Sequence, residues 1–232
     1  MNQQIKTICD KKAVRILLIL CIWLFNIAFV IGYMMNMQQA GNLLGVSTAS
    51  SHMPDILIQN IIETAPMLAA MVLSFLLLKG QSLEKLGLSV TNKKQWIAVI
   101  ILVVLMFGMA VAANCMHILD AGTIFYQLFY YFIIIAFFEE FEYRCLFPAL
   151  LKDKFSNKWV YIFPNLLFGL CHLFSFNGFS ITSFGQILQF LTSDVLGLFV
   201  AGCIFQFIKE KTGTVWIAVL IHAIYDYSGI FL

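Results

Sequence analysis

Apolar side chains dominate this chain of 232 residues, of which 61% are hydrophobic and 11% charged, whereas a soluble domain carries about 25% charged residues. An ordinary water-soluble domain is therefore excluded, and 23 Phe with only 4 Pro exclude a disordered or collagen-like chain. The formal net charge is +2, without a run of like charge, so we expect no nucleic-acid partner. The composition indicates an integral membrane protein.

Apolar segments long enough to cross a bilayer recur along the whole chain. A spanning helix needs about 20 apolar residues, and the loops left between the segments are short. We therefore predict an all-α, polytopic protein with about seven transmembrane helices, located as a multi-pass protein in the cell membrane with the lipid bilayer as its surroundings. The predicted spans are residues 14–35, 57–78, 96–117, 123–150, 159–176, 184–208 and 214–231.

The positions of lysine and arginine predict the orientation, because cytoplasmic loops carry an excess of both. Three alternate loops contain neither residue: 36–56, 118–122 and 177–183. The other loops and the cytoplasmic end of the first span hold every Lys and Arg except Arg144. We therefore expect seven spans, with the N-terminus in the cytoplasm and the C-terminus outside.

Charged and imidazole side chains inside the later spans indicate a functional site, since each costs a few kcal/mol in a bilayer. An α-helix rises by about 1.5 Å per residue. Counted from the cytoplasmic end of each helix, the charged and imidazole side chains of three spans lie near the middle of the membrane. This common depth predicts a shared, water-accessible site inside the helical bundle. The residues at this depth are Glu139 and Glu140, His172, and His222 and Asp226.

Spacing along the helices predicts which of these side chains pair. Glu140 and Arg144 are four residues apart and share a helix face, while Glu139 is turned by about 100°. His222 and Asp226 have the same spacing. One glutamate can thus be paired with arginine while the other points elsewhere.

Each polar group also has an interpretation without catalysis. Glu139, Glu140 and Arg144 could snorkel to the surface if their helix ends early. His172 could be a hydrogen-bonded core residue, and His222 with Asp226 a structural pair. We interpret Asp194 as a helix-packing group and Glu63 as a group near the outer interface.

Three motifs occur in order on separate spans: E-E-x-x-x-R at 139–144, F-x-x-x-H at 168–172 and H-x-x-x-D at 222–226. Together they resemble the CPBP family of CAAX-processing and bacteriocin-processing intramembrane endopeptidases, also called the Abi family. The resemblance implies a CPBP-like catalytic core over residues 123–232, which follows an N-terminal three-helix membrane region, 1–122.

The resemblance also implies roles for individual residues. In that family the first Glu and the middle His are thought to activate water, and the last His with its i+4 partner to stabilise the oxyanion. Members that process prenylated CAAX tails carry Asn at this last position, where this chain has Asp226. The implied pairs are Glu139 with His172 for water activation, His222 with Asp226 for the oxyanion, and Glu140 with Arg144 in support.

Aspartate at the last position bears on how the oxyanion is stabilised. An ionised carboxylate would repel an oxyanion, so Asp226 must be protonated, orient His222 or bind a positive group. A zinc mechanism is the competing possibility, because two His and a Glu form a known catalytic ligand set. Neither H-E-x-x-H nor G-x-S-x-G occurs, so we favour metal-free glutamate catalysis without a cofactor, with zinc as the alternative.

The sequence thus predicts a hydrolase, an intramembrane endopeptidase acting on a membrane-associated peptide or protein. A prenylated tail, a bacteriocin leader and a signalling-peptide precursor all fit as substrates. A non-catalytic bacteriocin-immunity or signalling scaffold of the same fold is one alternative, although it would not need every polar residue. A proton or metal transporter is another, although midplane carboxylates then usually occur in paired repeats.

Overall fold

The computed structural model describes residues 11–39, 82–118, 121–172 and 183–229. These ranges are helical apart from short connections and contain no strand, which confirms the predicted all-helical fold for this part of the chain. The predicted span 57–78, with Glu63, lies outside the described residues.

The helices of the described ranges match most of the predicted spans. Helices α3, α4 and α6 are long and apolar enough to cross a membrane. Helix α5 has 15 residues and α7 has 13. Residues 173–176 and 230–231 of their predicted spans lie outside the described residues, so the count of seven spans stays a prediction. The helices are α1 (Lys12–Gln39), α2 (Leu83–Leu86), α3 (Lys93–Cys115), α4 (Ala121–Leu151), α5 (Asn157–Cys171), α6 (Phe184–Thr212) and α7 (Trp216–Ser228).

Helix α4 is irregular where it carries its polar motif. Two segments with wide, π-type turns, Tyr130–Phe137 and Phe141–Leu146, flank the short α-helical stretch Phe138–Glu140. A similar segment, Phe190–Val195, lies in α6. Such turns are rare in helices and are frequent at functional sites.

The chain forms two compact units whose segments alternate along the sequence. The predicted division into 1–122 and 123–232 follows the motifs rather than compactness, and it stays a prediction. The first unit comprises Met1–Lys79 and Phe147–Cys203, and the second comprises Gly80–Leu146 and Ile204–Leu232.

In the second unit, α7 packs against α3 and against the wide-turn part of α4. Ala110 and Ala113 of α3 are buried beside Tyr227 of α7 and Ile124 of α4. Alanine side chains let helix backbones approach closely, so there is room for the large tyrosine ring. This packing holds α7 alongside the helix that carries the glutamates.

A short connection fixes where α7 begins. The indole N–H of Trp216 donates to the carbonyl of Leu88 at 2.8 Å, and Val215 N donates to the carbonyl of Gly87, also at 2.8 Å. Gly87 has φ of 79°, in the left-handed region where glycine is favoured. Because the start of α7 is anchored in this way, the position of His222 relative to Gly87 and Leu88 is fixed as well.

Buried Gln95 ties the start of α3 to the end of α6. Its side-chain oxygen accepts from Asn92 N at 3.1 Å, while its amide donates to the carbonyl of Thr212 at 2.7 Å. Asn92 in turn accepts from Gln95 N, which completes a capping box. Both helix ends next to α7 are therefore held by one side chain.

Hydrogen bonds from side chains to backbone carbonyls connect the helices of the first unit. Trp23 of α1 donates to Leu167 of α5 at 2.9 Å, and Arg15 donates to Leu150 at the end of α4 at 3.0 Å. These bonds satisfy polar groups between apolar helices. They hold α1 against the end of α4 and against α5, whose C-cap is the predicted catalytic His172.

Candidate active site

The predicted ion pair between Glu140 and Arg144 forms in the interior of the second unit. Arg144 Nε donates to Glu140 Oε2 at 2.9 Å, and both side chains are completely buried. The guanidinium also lies 5.9 Å from the ring centroids of Tyr143 and Phe205. Arg144 is therefore enclosed by protein, and the alternative in which it snorkels to a surface is wrong for this side chain.

His222 of α7 bonds to the second oxygen of the same glutamate. Its Nδ1 donates to Glu140 Oε1 at 3.0 Å, and its ring stacks on Phe205 with centroids 5.1 Å apart at 17°. The hydrogen bond and the stacking together fix both the rotation and the plane of the imidazole ring. The other ring nitrogen, Nε2, is thereby directed to the opposite side.

Two carboxylates lie near that second nitrogen. His222 Nε2 is 3.4 Å from Asp226 Oδ2 and 3.9 Å from Glu139 Oε2. The side chains of Asp226 and Glu139 are 23% and 18% exposed, whereas Glu140 is 0% exposed. The cluster thus has a buried half around Glu140 and a more accessible half around Glu139.

His172 belongs to the first unit, where it caps the C-terminal end of α5. Its Nδ1 donates to the carbonyl of Phe168 at 2.9 Å, and the two rings make an edge contact at 5.0 Å. In a neutral ring with hydrogen on Nδ1, Nε2 is the nitrogen that can accept a proton. The pairing of His172 with Glu139 stays a prediction.

Gly169 permits a close contact between α5 and α6. A Cβ atom there would lie 2.7 Å from the carbonyl oxygen of Val195 and 3.3 Å from its Cγ1. Backbone cannot yield as a flexible side chain does, so an added methyl would force the helices apart. The glycine of the F-G-L-C-H segment is thus needed for packing just before His172.

We expect Gly169→Ala to lower the free energy of unfolding by about 1–3 kcal/mol through overpacking. Denaturant titration of the detergent-solubilised protein would measure the loss. Gly197→Ala is the matched control, because a Cβ at Gly197 meets nothing within 4 Å. An equal effect of the two substitutions would show that the approach to Val195 is not tight.

Asp194 was considered from the sequence, whereas Phe205 was not. Asp194 is half-buried in the wide-turn segment of α6, and its helix-packing role stays a prediction. Phe205 was not predicted as a site residue, although it contacts both Arg144 and His222. One phenylalanine among 23 in apolar segments carries no signal that distinguishes it, so only the structure identifies it.

A protein site for a metal ion such as zinc needs at least three ligand side chains close enough to bind the same ion. Within the described ranges, no group of three His, Cys, Asp or Glu side chains is arranged to hold one. One nitrogen of His222 already bonds to Glu140. Zinc stays an alternative that a chelator experiment tests.

The part of the chain that carries the cluster is similar to a known protein family. Residues 121–228 match the family model described as type II CAAX prenyl endopeptidase Rce1-like. The matched region runs from the first residue of α4 to the last residue of α7 and contains all the predicted site residues. No curated protein and no solved structure matches the chain. The predicted resemblance to CAAX-processing proteases is therefore confirmed over these residues.

Proposed function

We propose, from the premise that residues 121–228 are Rce1-like, that this membrane protein is an endopeptidase cleaving a membrane-associated peptide or protein. The observation that carries the proposal is the convergence of Glu139 with His222 and Asp226. These residues come from two helices distant in sequence, yet His222 Nε2 is within 4 Å of both carboxylates. Peptide hydrolysis needs a base and a donor for the oxyanion, and these groups can supply both.

Glu139 is proposed as the base. Its carboxylate takes a proton from water, the water oxygen attacks the carbonyl carbon, and the carbonyl electron pair moves onto its oxygen. His222 donates Nε2–H to that oxyanion, while its Nδ1 stays on Glu140. The 3.9 Å between Glu139 Oε2 and His222 Nε2 is short enough for both groups to act on one carbonyl.

His172 is proposed to hold the water together with Glu139 and to help return the proton to the leaving amine. The bond from its Nδ1 to Phe168 supports this role, since it leaves Nε2 as the proton-accepting nitrogen. Collapse of the tetrahedral intermediate then breaks the C–N bond and releases the amine with that proton.

Asp226 is proposed to orient His222 rather than to bind the oxyanion. Its Oδ2 lies 3.4 Å from His222 Nε2, one helical turn away. A carboxylate in contact with a developing oxyanion would oppose the reaction electrostatically. Orientation of the imidazole therefore fits this side chain better than the amide-like role of the Asn in prenyl-CAAX relatives.

Glu140 and Arg144 are proposed as positioning residues. We expect Glu140→Gln to lower kcat by about 10- to 150-fold and to leave KM nearly unchanged, because a hydrogen bond to a charged group contributes about 1.5–3 kcal/mol. Steady-state kinetics in liposomes would measure the split between kcat and KM. A loss as large as that of Glu139→Gln, or a rise in KM alone, would contradict a positioning role.

The arrangement in the membrane is proposed from the distribution of charge. We propose seven spans with a cytoplasmic N-terminus in the cell membrane, so that substrates enter laterally or from the inner side. A prenylated tail, a bacteriocin leader or a signalling-peptide precursor fits such entry. Attachment of reporter domains to each terminus would test the orientation, which requires opposite sides for the two ends.

The test of the proposed function uses purified protein in liposomes with a quenched, lipid-anchored peptide library. Mass spectrometry identifies the cut sites, and each reaction is repeated with a zinc chelator. We expect cleavage that survives chelation. Loss of cleavage on chelation, with recovery when zinc is restored, would instead favour the zinc mechanism.

A negative result would also be informative. Absence of cleavage across a broad library, by protein that remains folded, would favour the immunity or signalling scaffold of the same fold. Proton or metal flux through the same liposomes would favour a transporter.

A further inference from the structure

An apolar cavity lies in the first unit, beside the end of α4. Its volume is about 270 Å³. The described residues that line it are Ile16, Leu151, Phe155, Trp159 and Phe163. These side chains belong to α1, the end of α4, the following loop and α5, all in the first unit, and none of them belongs to the Glu140 and His222 cluster.

A cation lies at the wall of this cavity. Lys12 is exposed, and its Nζ is 5.6 Å from the ring centroid of Phe155. The loop that carries Phe155 adds Lys152 and Lys154, and the first turn of α5 adds Lys158, against a single acidic residue, Asp153. The surroundings of the cavity are therefore apolar inside and positively charged outside.

This combination favours an amphiphile with an apolar chain and an anionic head. An acyl chain has no polar groups to satisfy, whereas a peptide segment needs partners for its backbone N–H and C=O groups. Basic pockets beside transmembrane helices bind anionic lipid headgroups. Trp159, which is 59% exposed, has the character of side chains at the membrane interface.

We propose that this cavity binds an anionic phospholipid of the bilayer, with an acyl chain against Ile16 and Phe163 and the phosphate beside the Lys12 ammonium. The proposal does not depend on the proposed peptidase activity. It can therefore be measured in a variant without catalytic activity, and failure of either proposal leaves the other intact.

The headgroup contact can be tested by native mass spectrometry of the full chain with phosphatidylglycerol or phosphatidylcholine. We expect tighter binding of phosphatidylglycerol and about five-fold weaker binding in Lys12→Gln, from the contribution of one lysine near a lipid surface. Lys211→Gln is the matched control, because Lys211 Nζ also lies 5.6 Å from a phenylalanine ring, that of Phe207. Equal binding of the two lipids, or equal losses in the two variants, would overturn the proposal.

The cavity itself is tested by filling it. We expect Ile16→Trp to abolish the tight phosphatidylglycerol binding, and Leu17→Trp, at a neighbouring position that is 61% exposed, to preserve it. Thermal unfolding verifies that both variants are folded. Unchanged binding in folded Ile16→Trp would overturn the proposal. Displacement of the lipid by farnesol, equally in wild type and Lys12→Gln, would do so as well, since it would identify an isoprenoid occupant.

Discussion

Replacement of Glu139 by Gln is expected to lower the rate of peptide cleavage by about 10²- to 10⁴-fold, the usual contribution of a general base. The amide keeps the size and shape of the carboxylate but cannot accept a proton from water. Glu139 is 18% exposed, with Oε2 at 3.9 Å from His222 Nε2. The substitution should therefore remove the reaction without removing the fold.

The measurement is kcat for a lipid-anchored peptide in liposomes, together with the melting temperature of each protein. Glu142→Gln is the matched control, since Glu142 is another glutamate of α4, is 7% exposed and takes no part in the proposed mechanism. An active Glu139→Gln enzyme would exclude Glu139 as the base. An equal loss in folded Glu142→Gln would mean that any carboxylate of α4 has the same effect.

The substitution Arg144→Met is expected to lower the free energy of unfolding by about 3–5 kcal/mol, because it removes the arginine that pairs with the buried carboxylate of Glu140. Arg144 and Glu140 are both 0% exposed and joined at 2.9 Å. The flexible methionine retains much of the packing, so the lost ion pair should account for most of the effect.

Unfolding in mixed micelles with increasing sodium dodecyl sulfate would measure this loss. The double variant Glu140→Gln/Arg144→Met should be more stable than Arg144→Met alone, because it also removes the buried carboxylate that has lost its arginine. A double variant no more stable than the single one would show that the charge of Glu140 does not cause the loss.

These two substitutions separate the cluster into parts with different roles. Arg144 and Glu140 lie inside the protein and fix His222 through Nδ1, so they affect both stability and geometry. Glu139 and Asp226 are more accessible and lie on the Nε2 side. A site with a rigid interior and an accessible rim can position a donor while it admits water and a peptide.

Periodicity and spacing predicted a large part of the architecture. Helices α3, α4 and α6 correspond to the predicted spans 96–117, 123–150 and 184–208, because long apolar segments have few other stable forms in a bilayer. The predicted starts of α5 and α7, residues 159 and 214, each lie two residues from the observed starts at Asn157 and Trp216. Residues 173–176 and 230–231, at the ends of the two predicted spans, lie outside the described residues.

The sequence by itself determined the membrane character, the all-helical fold of the described ranges and the Glu140–Arg144 pair, since each follows from composition or from spacing within one helix. The family resemblance came from the three motifs in their order along the chain. Only the tertiary structure decided that His222 bonds to Glu140 and stacks on Phe205. Residues 82 positions apart meet through packing and through the anchoring of α7 at Leu88. The wide turns of α4 are likewise specified by no pattern of residue types in the sequence.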